Sequence, residues 1–301
     1  MSEAVPSVIC FGEVLWDILP RSQFPGGAPF NVAYHLHRQG LPALLVSAVG
    51  RDQRGDDLVQ RLRGWGLSLA GVTQHPGQAT GVVNVTLGPG QEPRYEIVRD
   101  VAWDQIVLGR ETLQSAGQAR ALVFGSLAQR SSRNRAALQR LLESLPADAL
   151  RVFDVNLRPP HDDLALVLDL ARDATLLKLN AGEAARLTGE AAEPGREETL
   201  ARALAIHTGC PMVCLTAGER GAGILQGGVW RWAGGRRIVV RDTVGAGDAF
   251  TAGLIAGLLL HRESAATALA RACRLGEFVA SQDGATPGYQ SDATGNPVLA
   301  L

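Results

Sequence analysis

Lysine is almost missing from this chain of 301 residues: Lys178 is the single example, so nearly all the positive charge is arginine. A Walker-type phosphate loop, which needs a lysine after its glycines, is thereby excluded. Lys178 is also the one candidate for Schiff-base chemistry. Neither sign of charge dominates, since the formal net charge is −1. That argues against a generic nucleic-acid-binding face. Apolar runs of about 18 residues, the length a membrane span needs, are lacking. The longest candidate, 252–260, is interrupted by Gly253 and Gly257 and stops at His261-Arg262-Glu263. The start, Met1-Ser2-Glu3-Ala4-Val5-Pro6, has no basic or apolar stretch of a secretory signal. Cysteine is scarce, with Cys10, Cys210, Cys214 and Cys273 forming no C-x-x-C pair and lying beside no histidine cluster. Buried, reduced thiols in a cytoplasmic protein are expected, rather than zinc ligands or a disulfide frame.

What is present is ordinary globular composition, 46% apolar and 20% charged, in 31.8 kDa. No repeat, low-complexity tract or long linker divides the chain, so a single domain over 1–301 is expected. Short β-branched runs at 8–11, 44–47, 121–124, 151–155, 175–179 and 212–216 read as strands. Amphipathic stretches at 31–39, 56–65, 133–144, 164–172 and 197–207 read as helices between them. This rhythm predicts an α/β fold: crossover units and a mostly parallel sheet covered on both faces. Two regions break it. Runs 80–87 and 94–98, joined by Gly88-Pro89-Gly90-Gln91-Glu92-Pro93, predict a hairpin, either a flap or an extension of the sheet. Runs 223–225, 229–232 and 237–240 predict a second meander.

Four segments carry candidate chemistry. Arg241-Asp242-Thr243-Val244-Gly245-Ala246-Gly247-Asp248 follows a strand and opens an apolar helix. Its glycines expose amides that lack an intrahelical partner, where the helix dipole favours an anion. Asp248 would repel a phosphate held there, unless it takes the proton of a hydroxyl attacking that phosphate. A simple helix-start aspartate is the plainer alternative. Gly26-Gly27-Ala28-Pro29-Phe30-Asn31 offers close backbone approach and an amide that pairs with sugar hydroxyls, helped by Asp17; a turn before a helix fits as well. Thr216-Ala217-Gly218-Glu219-Arg220-Gly221 follows a buried strand and suits a nucleotide shelf at a strand end. A dinucleotide fingerprint is rejected there because a strand, not a helix, follows. Asn180 and Glu183 form either a capping pair or a site where Glu183 orients magnesium-bound water.

Taken together, G-G-x-x-x-N, N-x-x-E, T-x-G-x-x-G and D-T-x-G-A-G-D in this order resemble the PfkB-type, ribokinase-like carbohydrate kinases, from Gly12 to about Gly288. The resemblance implies a three-layer fold with a β-lid formed near 13–25 and 80–100. It implies transfer of the ATP γ-phosphate to a sugar hydroxyl. Asp248 matches the family's base, and Gly245, Ala246 and Gly247 its anion hole. Asp17, Gly26, Gly27 and Asn31 match sugar-binding positions, while Asn180, Thr216, Gly218 and Gly221 match nucleotide-binding ones. Glu183 matches the magnesium motif. Asp242 and the Val244 carbonyl match part of a potassium-type cation site, completed by the 284–288 loop. Relatives often pair their lids, which implies a homodimer.

Departures refine this. Gly125-Ser126-Leu127-Ala128-Gln129 lacks the acidic residue that ribokinases proper place there, which counts against ribose. Asp154-Val155-Asn156-Leu157-Arg158 and Phe11-Gly12-Glu13 resemble fructokinase-like members. Gly288 stands where some relatives have a cation-binding serine. Arg94 and Arg99 are either solvated or face an acidic sugar. The expectation is a kinase of a free ketohexose such as fructose. The alternatives are a 2-keto-3-deoxygluconate or nucleoside kinase, or a sugar- or nucleotide-sensing protein without turnover.

Overall fold

The computed structural model describes residues 7–20, 22–87, 93–292 and 296–299. In chain order the first elements are β1 (Val8–Phe11), β2 (Leu15–Leu19), β3 (Ser22–Gly26), α1 (Ala28–Arg38), β4 (Ala43–Gly50) and α2 (Gln53–Gly64). Next come β5 (Val72–His75), β6 (Gly81–Leu87), β7 (Pro93–Ile97), α3 (Arg110–Ala116), β8 (Ala121–Gly125), α4 (Ser132–Ser144), β9 (Leu150–Asp154) and α5 (Leu164–Arg172). The remainder is β10 (Leu176–Asn180), α6 (Ala181–Thr188), α7 (Glu197–Thr208), β11 (Met212–Thr216), β12 (Gly221–Gln226) and β13 (Val229–Gly234). It ends with α8 (Ala246–Leu259), α9 (Ala265–Ala280), β14 (Tyr289–Ser291) and β15 (Pro297–Leu299).

Nine strands form the main sheet in the order β13-β12-β11-β10-β9-β8-β1-β4-β5. From β5 to β11 every pairing is parallel, and β12 and β13 add an antiparallel edge. Alternation along each strand feeds two cores. Val8 and Cys10 join the core beneath α1, α2, α8 and α9, while Ile9 and Phe11 join the one beneath α3 to α7. Burial on both faces is what a parallel sheet between two helical layers requires. It also explains why these strands read as continuous apolar runs.

A second sheet, β3-β2-β6-β7, stands apart, with β2 and β6 parallel and β6–β7 the expected hairpin. Its inner face rests on a small core of Leu15, Val83, Val101, Trp103, Leu127 and Ala128. The connecting loop, 88–92, lies outside the described residues, as does the Met1–Pro6 start.

One expected strand is absent. Residues 237–240 run as irregular backbone after β13, with Val239 83% exposed. A β-branched run makes a strand only beside a partner edge. Here β13 ends at Gly234, and residues 237–240 pair with no strand. All four cysteines are buried and free. Among the described residues no helix is long and apolar enough to cross a membrane.

Candidate active site

The candidate residues gather where the parallel strands end. Glu13 follows β1, Asp154 ends β9, Asn180 ends β10 and Thr216 ends β11. Strand ends of open α/β sheets are where such folds bind ligands. Into this row points the mouth of α8. Gly245 caps it in the left-handed conformation (φ 77°), and the first helical bond runs from the Ala249 amide to the Gly245 carbonyl. The amides of Gly247 and Asp248 precede that bond and lack an intrahelical partner, as an anion site requires, whereas the Ala246 amide, expected to join them, donates to the Thr243 carbonyl at 3.3 Å.

Asp248 sits in the first turn of α8, and its Oδ2 accepts a 2.8 Å hydrogen bond from Asn31 Nδ2. Asn31 lies on α1, only 4% exposed, and its Oδ1 is buried without a partner. An unpaired buried acceptor costs free energy unless a ligand donor satisfies it. Burial pushes the Asp248 carboxyl up to about 6; the charge of Asp154 adds to this, while Asn31, Lys178 and Arg158 oppose it.

Asp17, on β2, is also raised by burial to about 6, with Arg158 pulling the other way. Glu13 is buried and raised to about 7, chiefly by burial. One of its oxygens accepts from the Ala28 amide at 3.2 Å and the other has no partner. The paired glycines serve the chain as much as any ligand. A Cβ on Gly26 would lie 2.2 Å from an Asp17 carboxylate oxygen, and one on Gly27 would lie 2.4 Å from the Glu13 carbonyl. Gly26 leaves room for the Asp17 carboxylate, and Gly27 for the main chain between Glu13 and Val14.

Lys178 corrects the sequence reading. It is no Schiff-base amine: its ammonium is buried and lies 3.0 Å from both Asp154 oxygens. The pair is set by register, since Lys178 of β10 lies opposite Asp154 of β9. Burial alone would depress the lysine, but Asp154, Glu183 and Asp248 outweigh it and hold it protonated. The Thr251 hydroxyl donates to Asp154 at 2.8 Å. A Cβ on Gly247 would come within 3.2 Å of Lys178 Nζ, so the mouth of α8 rests directly on this cation. The chain's single lysine therefore lies against the mouth of α8, a neighbour that sequence reading did not give it. The reading from sequence missed Glu13, Asp154, Arg158, Lys178 and Thr251 as site residues. The D-x-N-x-R run and the Phe11-Gly12-Glu13 segment were the available signals for three of them.

On the other side, Asn180 caps α6 in a reciprocal capping box. Its Oδ1 accepts from the Glu183 amide at 2.9 Å, and Glu183 Oε2 accepts from the Asn180 amide at 2.8 Å. Glu183 Oε1 accepts from Leu157 N at 2.8 Å. The capping alternative is thus realised, and Glu183 also anchors the loop that leads to Arg158. Thr216 ends β11 half-buried, and Gly218 (φ 60°) opens a short 3-10 turn with free space beside it. Gly221 starts β12, where a Cβ would strike the Ala233 carbonyl at 2.1 Å. Asp242 accepts from Val244 N at 3.0 Å and from Gly284 N at 3.2 Å, tying the approach of α8 to the 284–288 loop.

An open, mainly parallel sheet carrying a small accessory sheet over its strand ends is the fold of the ribokinase-like kinases. A fructokinase from Vibrio cholerae with fructose, ADP and calcium bound superposes with a TM-score of 0.79 at 23% identity, over 94% of this chain and 95% of that one. A PfkB protein from Polaromonas sp. JS666 gives 0.78 at 25% identity, over 92% and 96%. Fructokinase-2 of Solanum lycopersicum is 26% identical over 305 residues, 93% of this chain and 92% of its own. The pfkB family carbohydrate kinase profile matches residues 8–292, and the chain belongs to that family. It is a sugar kinase, a phosphotransferase with a sugar hydroxyl as acceptor.

Proposed function

We propose that the protein is an ATP-dependent fructokinase, phosphorylating a hydroxyl of a free ketohexose such as fructose. The observation that carries this is the Asn31–Asp248 hydrogen bond, with Asn31 Oδ1 left for a ligand donor. It joins the helix that would hold the sugar to the carboxylate that would deprotonate it. Glu13, Asp17 and Asp248 all lie within electrostatic reach of the one Arg158, and three carboxyls around one cation favour a neutral polyol over an acidic sugar. Relatives named fructokinase match over nearly the whole chain, which supports the same sugar.

In this reading ATP supplies the γ-phosphoryl group. Asp17, Asn31 and the Gly26–Gly27 turn bind and orient the sugar. The small sheet of β2, β3, β6 and β7 is the lid and excludes water. Asp248 accepts the proton of the attacking hydroxyl at a carboxylate oxygen. The amides of Gly247 and Asp248 and the Lys178 ammonium beneath them hold the negative charge of the transferring group. Asn180, Thr216, Gly218 and Gly221 seat the nucleotide. Magnesium would neutralise charge on the triphosphate when bound. Glu183 fits it through water, because each of its oxygens accepts one amide and keeps a second lone pair. Four buried free thiols suit a reducing compartment, the cytoplasm. Phe24 and Tyr95, exposed on the edge strands of the lid, suit pairing of two copies, a homodimer that light scattering would test.

The deciding experiment follows ADP release with fructose, ribose, adenosine and 2-keto-3-deoxygluconate. Fructose should give the highest kcat/KM. Preference for another of these moves the protein to that acceptor. ATP consumption at zero rate with tight sugar binding would make it a sensor.

A further inference from the structure

One cation at the foot of the lid grips two segments at once. Arg130 ends the 3-10 turn Leu127–Arg130 that follows β8, and its side chain is 11% exposed. Nε and Nη2 donate to the two Asp104 oxygens, each at 2.8 Å, and the guanidinium carbon lies 4.1 Å from the centroid of the Trp103 ring. Nη2 also donates to the Val98 carbonyl at 2.7 Å, one residue past β7 of the lid. The remaining nitrogen, Nη1, lies 3.2 Å from His161 Nε2. A guanidinium only donates, so Nε2 is the acceptor, and the ring proton sits on Nδ1, supported by the Ile97 carbonyl at the end of β7. Burial and the charges of Arg130 and Arg99 hold the half-buried His161 below the ordinary imidazole range, against Asp104, so the accepting lone pair is kept.

His161 closes a turn on Arg158. Its amide donates to the Arg158 carbonyl at 2.7 Å, and the rings of Pro159 and Pro160 restrict the backbone between them. The turn is moored at Leu157 by Glu183, at His161 by Arg130, and at Asp162 by Arg186 of α6 at 2.6 Å. Of these three anchors, Arg130 is the one that also holds the lid. The Arg158 charge at the head of the turn draws down the Glu13, Asp17 and Asp248 carboxyls, each of which burial raises. The other charges facing Asp248 are Asp154, Lys178 and Glu13. A Coulombic effect falls off with distance, so the seat of the turn decides how well the carboxyls keep their cation.

We propose that His161 is a positioning residue: by accepting from Arg130 it fixes the Arg158 turn to the lid strand β7, and so keeps Arg158 within reach of Asp17, which would bind the sugar, and Asp248, which would deprotonate it. The inference rests on the kinase reading for its kinetic arm alone.

The test is a double-mutant cycle of His161→Ala and Arg158→Ala, read as kcat/KM for the sugar near neutral pH. Each change should lower it, His161→Ala by about five- to tenfold, and the double variant should lie within about twofold of Arg158→Ala alone, because both act through one charge. His161→Gln restores an acceptor for Arg130 and should recover most of the loss. In His161→Ala the acid limb of the pH profile should move up by about half a pH unit, since a carboxyl that loses its cation ionises later. Losses that multiply, wild-type kinetics in His161→Ala, an unmoved acid limb, or a His161→Gln variant no better than His161→Ala each overturn the proposal. If wild type phosphorylates no sugar, the kinase reading falls, and NMR of isotope-labelled aspartate carboxyls decides the coupling instead. The signal lost in Asp248→Asn must then titrate at higher pH in His161→Ala and in Arg158→Ala alike, and a midpoint unmoved in His161→Ala overturns the proposal.

Discussion

Asn31 Nδ2 donates to Asp248 Oδ2 at 2.8 Å, across 217 residues of sequence. The bond fixes one carboxylate oxygen and leaves the other for a substrate proton. General-base catalysis of this kind is worth about 10²–10⁴-fold. Asp248→Asn should lose that much kcat while nucleotide affinity, read by calorimetry, changes only a few-fold. The amide keeps the shape and can still meet Asn31, so folding is spared. Near-normal turnover in Asp248→Asn would remove the residue from the role.

The proton-accepting form of Asp248 is the ionised one. With its carboxyl raised to about 6, first by burial and then by Asp154, activity should climb as pH rises through that value and level off above it. Asp17, raised to about 6, titrates in the same window, so the limb belongs to the cluster rather than to one residue. The measurement is kcat/KM for fructose over the acid range. A profile that stays flat well below pH 6 would refute the assignment of Asp248 as base.

The main sheet was legible because its strands are buried on both faces and so stand out as apolar runs between amphipathic stretches. β2 and β3 were harder to read: Asp17 and Pro25 interrupt them, and they pair in a sheet with one face exposed. α9 dilutes Leu269, Leu275 and Val279 of its core face with small alanines and with Arg271, buried through its ion pair with Glu263. The 237–240 run has strand composition but no neighbouring edge, and composition cannot supply one. At the candidate site the motif glycines did not disclose their neighbours, since Gly26 makes room for the Asp17 carboxylate and Gly27 for the main chain at Glu13. Lys178 and Asp154 are 24 residues apart and meet only through strand register. Chain order carries no mark of that meeting.

That pair sets a stability prediction. Lys178 and Asp154 are both buried, with side-chain exposures of 9% and 5%. Removing one partner of such a pair strands a charge and costs about 3–5 kcal/mol, whereas replacing both with apolar side chains is often neutral. Lys178→Met should therefore lower the urea-unfolding free energy by that amount, and adding Asp154→Leu should recover most of it. Lys178→Met within about 1 kcal/mol of wild type would contradict a buried, charged pair.

Glu13 predicts the reverse, a natural residue whose charge weakens the fold. Burial raises its carboxyl to about 7, against roughly 4.3 for an unfolded glutamate. Between these values the folded chain binds a proton that the unfolded chain has released. The group's contribution to stability is therefore complete below the unfolded value and is lost as pH rises through about 7. Glu13→Gln keeps an acceptor for the Ala28 amide and removes the charge from the oxygen that lacks a partner. The variant should gain about 2–5 °C in Tm near pH 8 and little or nothing near pH 5, where the native side chain is already neutral. Equal shifts at both pH values would mean that packing, and not the buried charge, separates the two proteins.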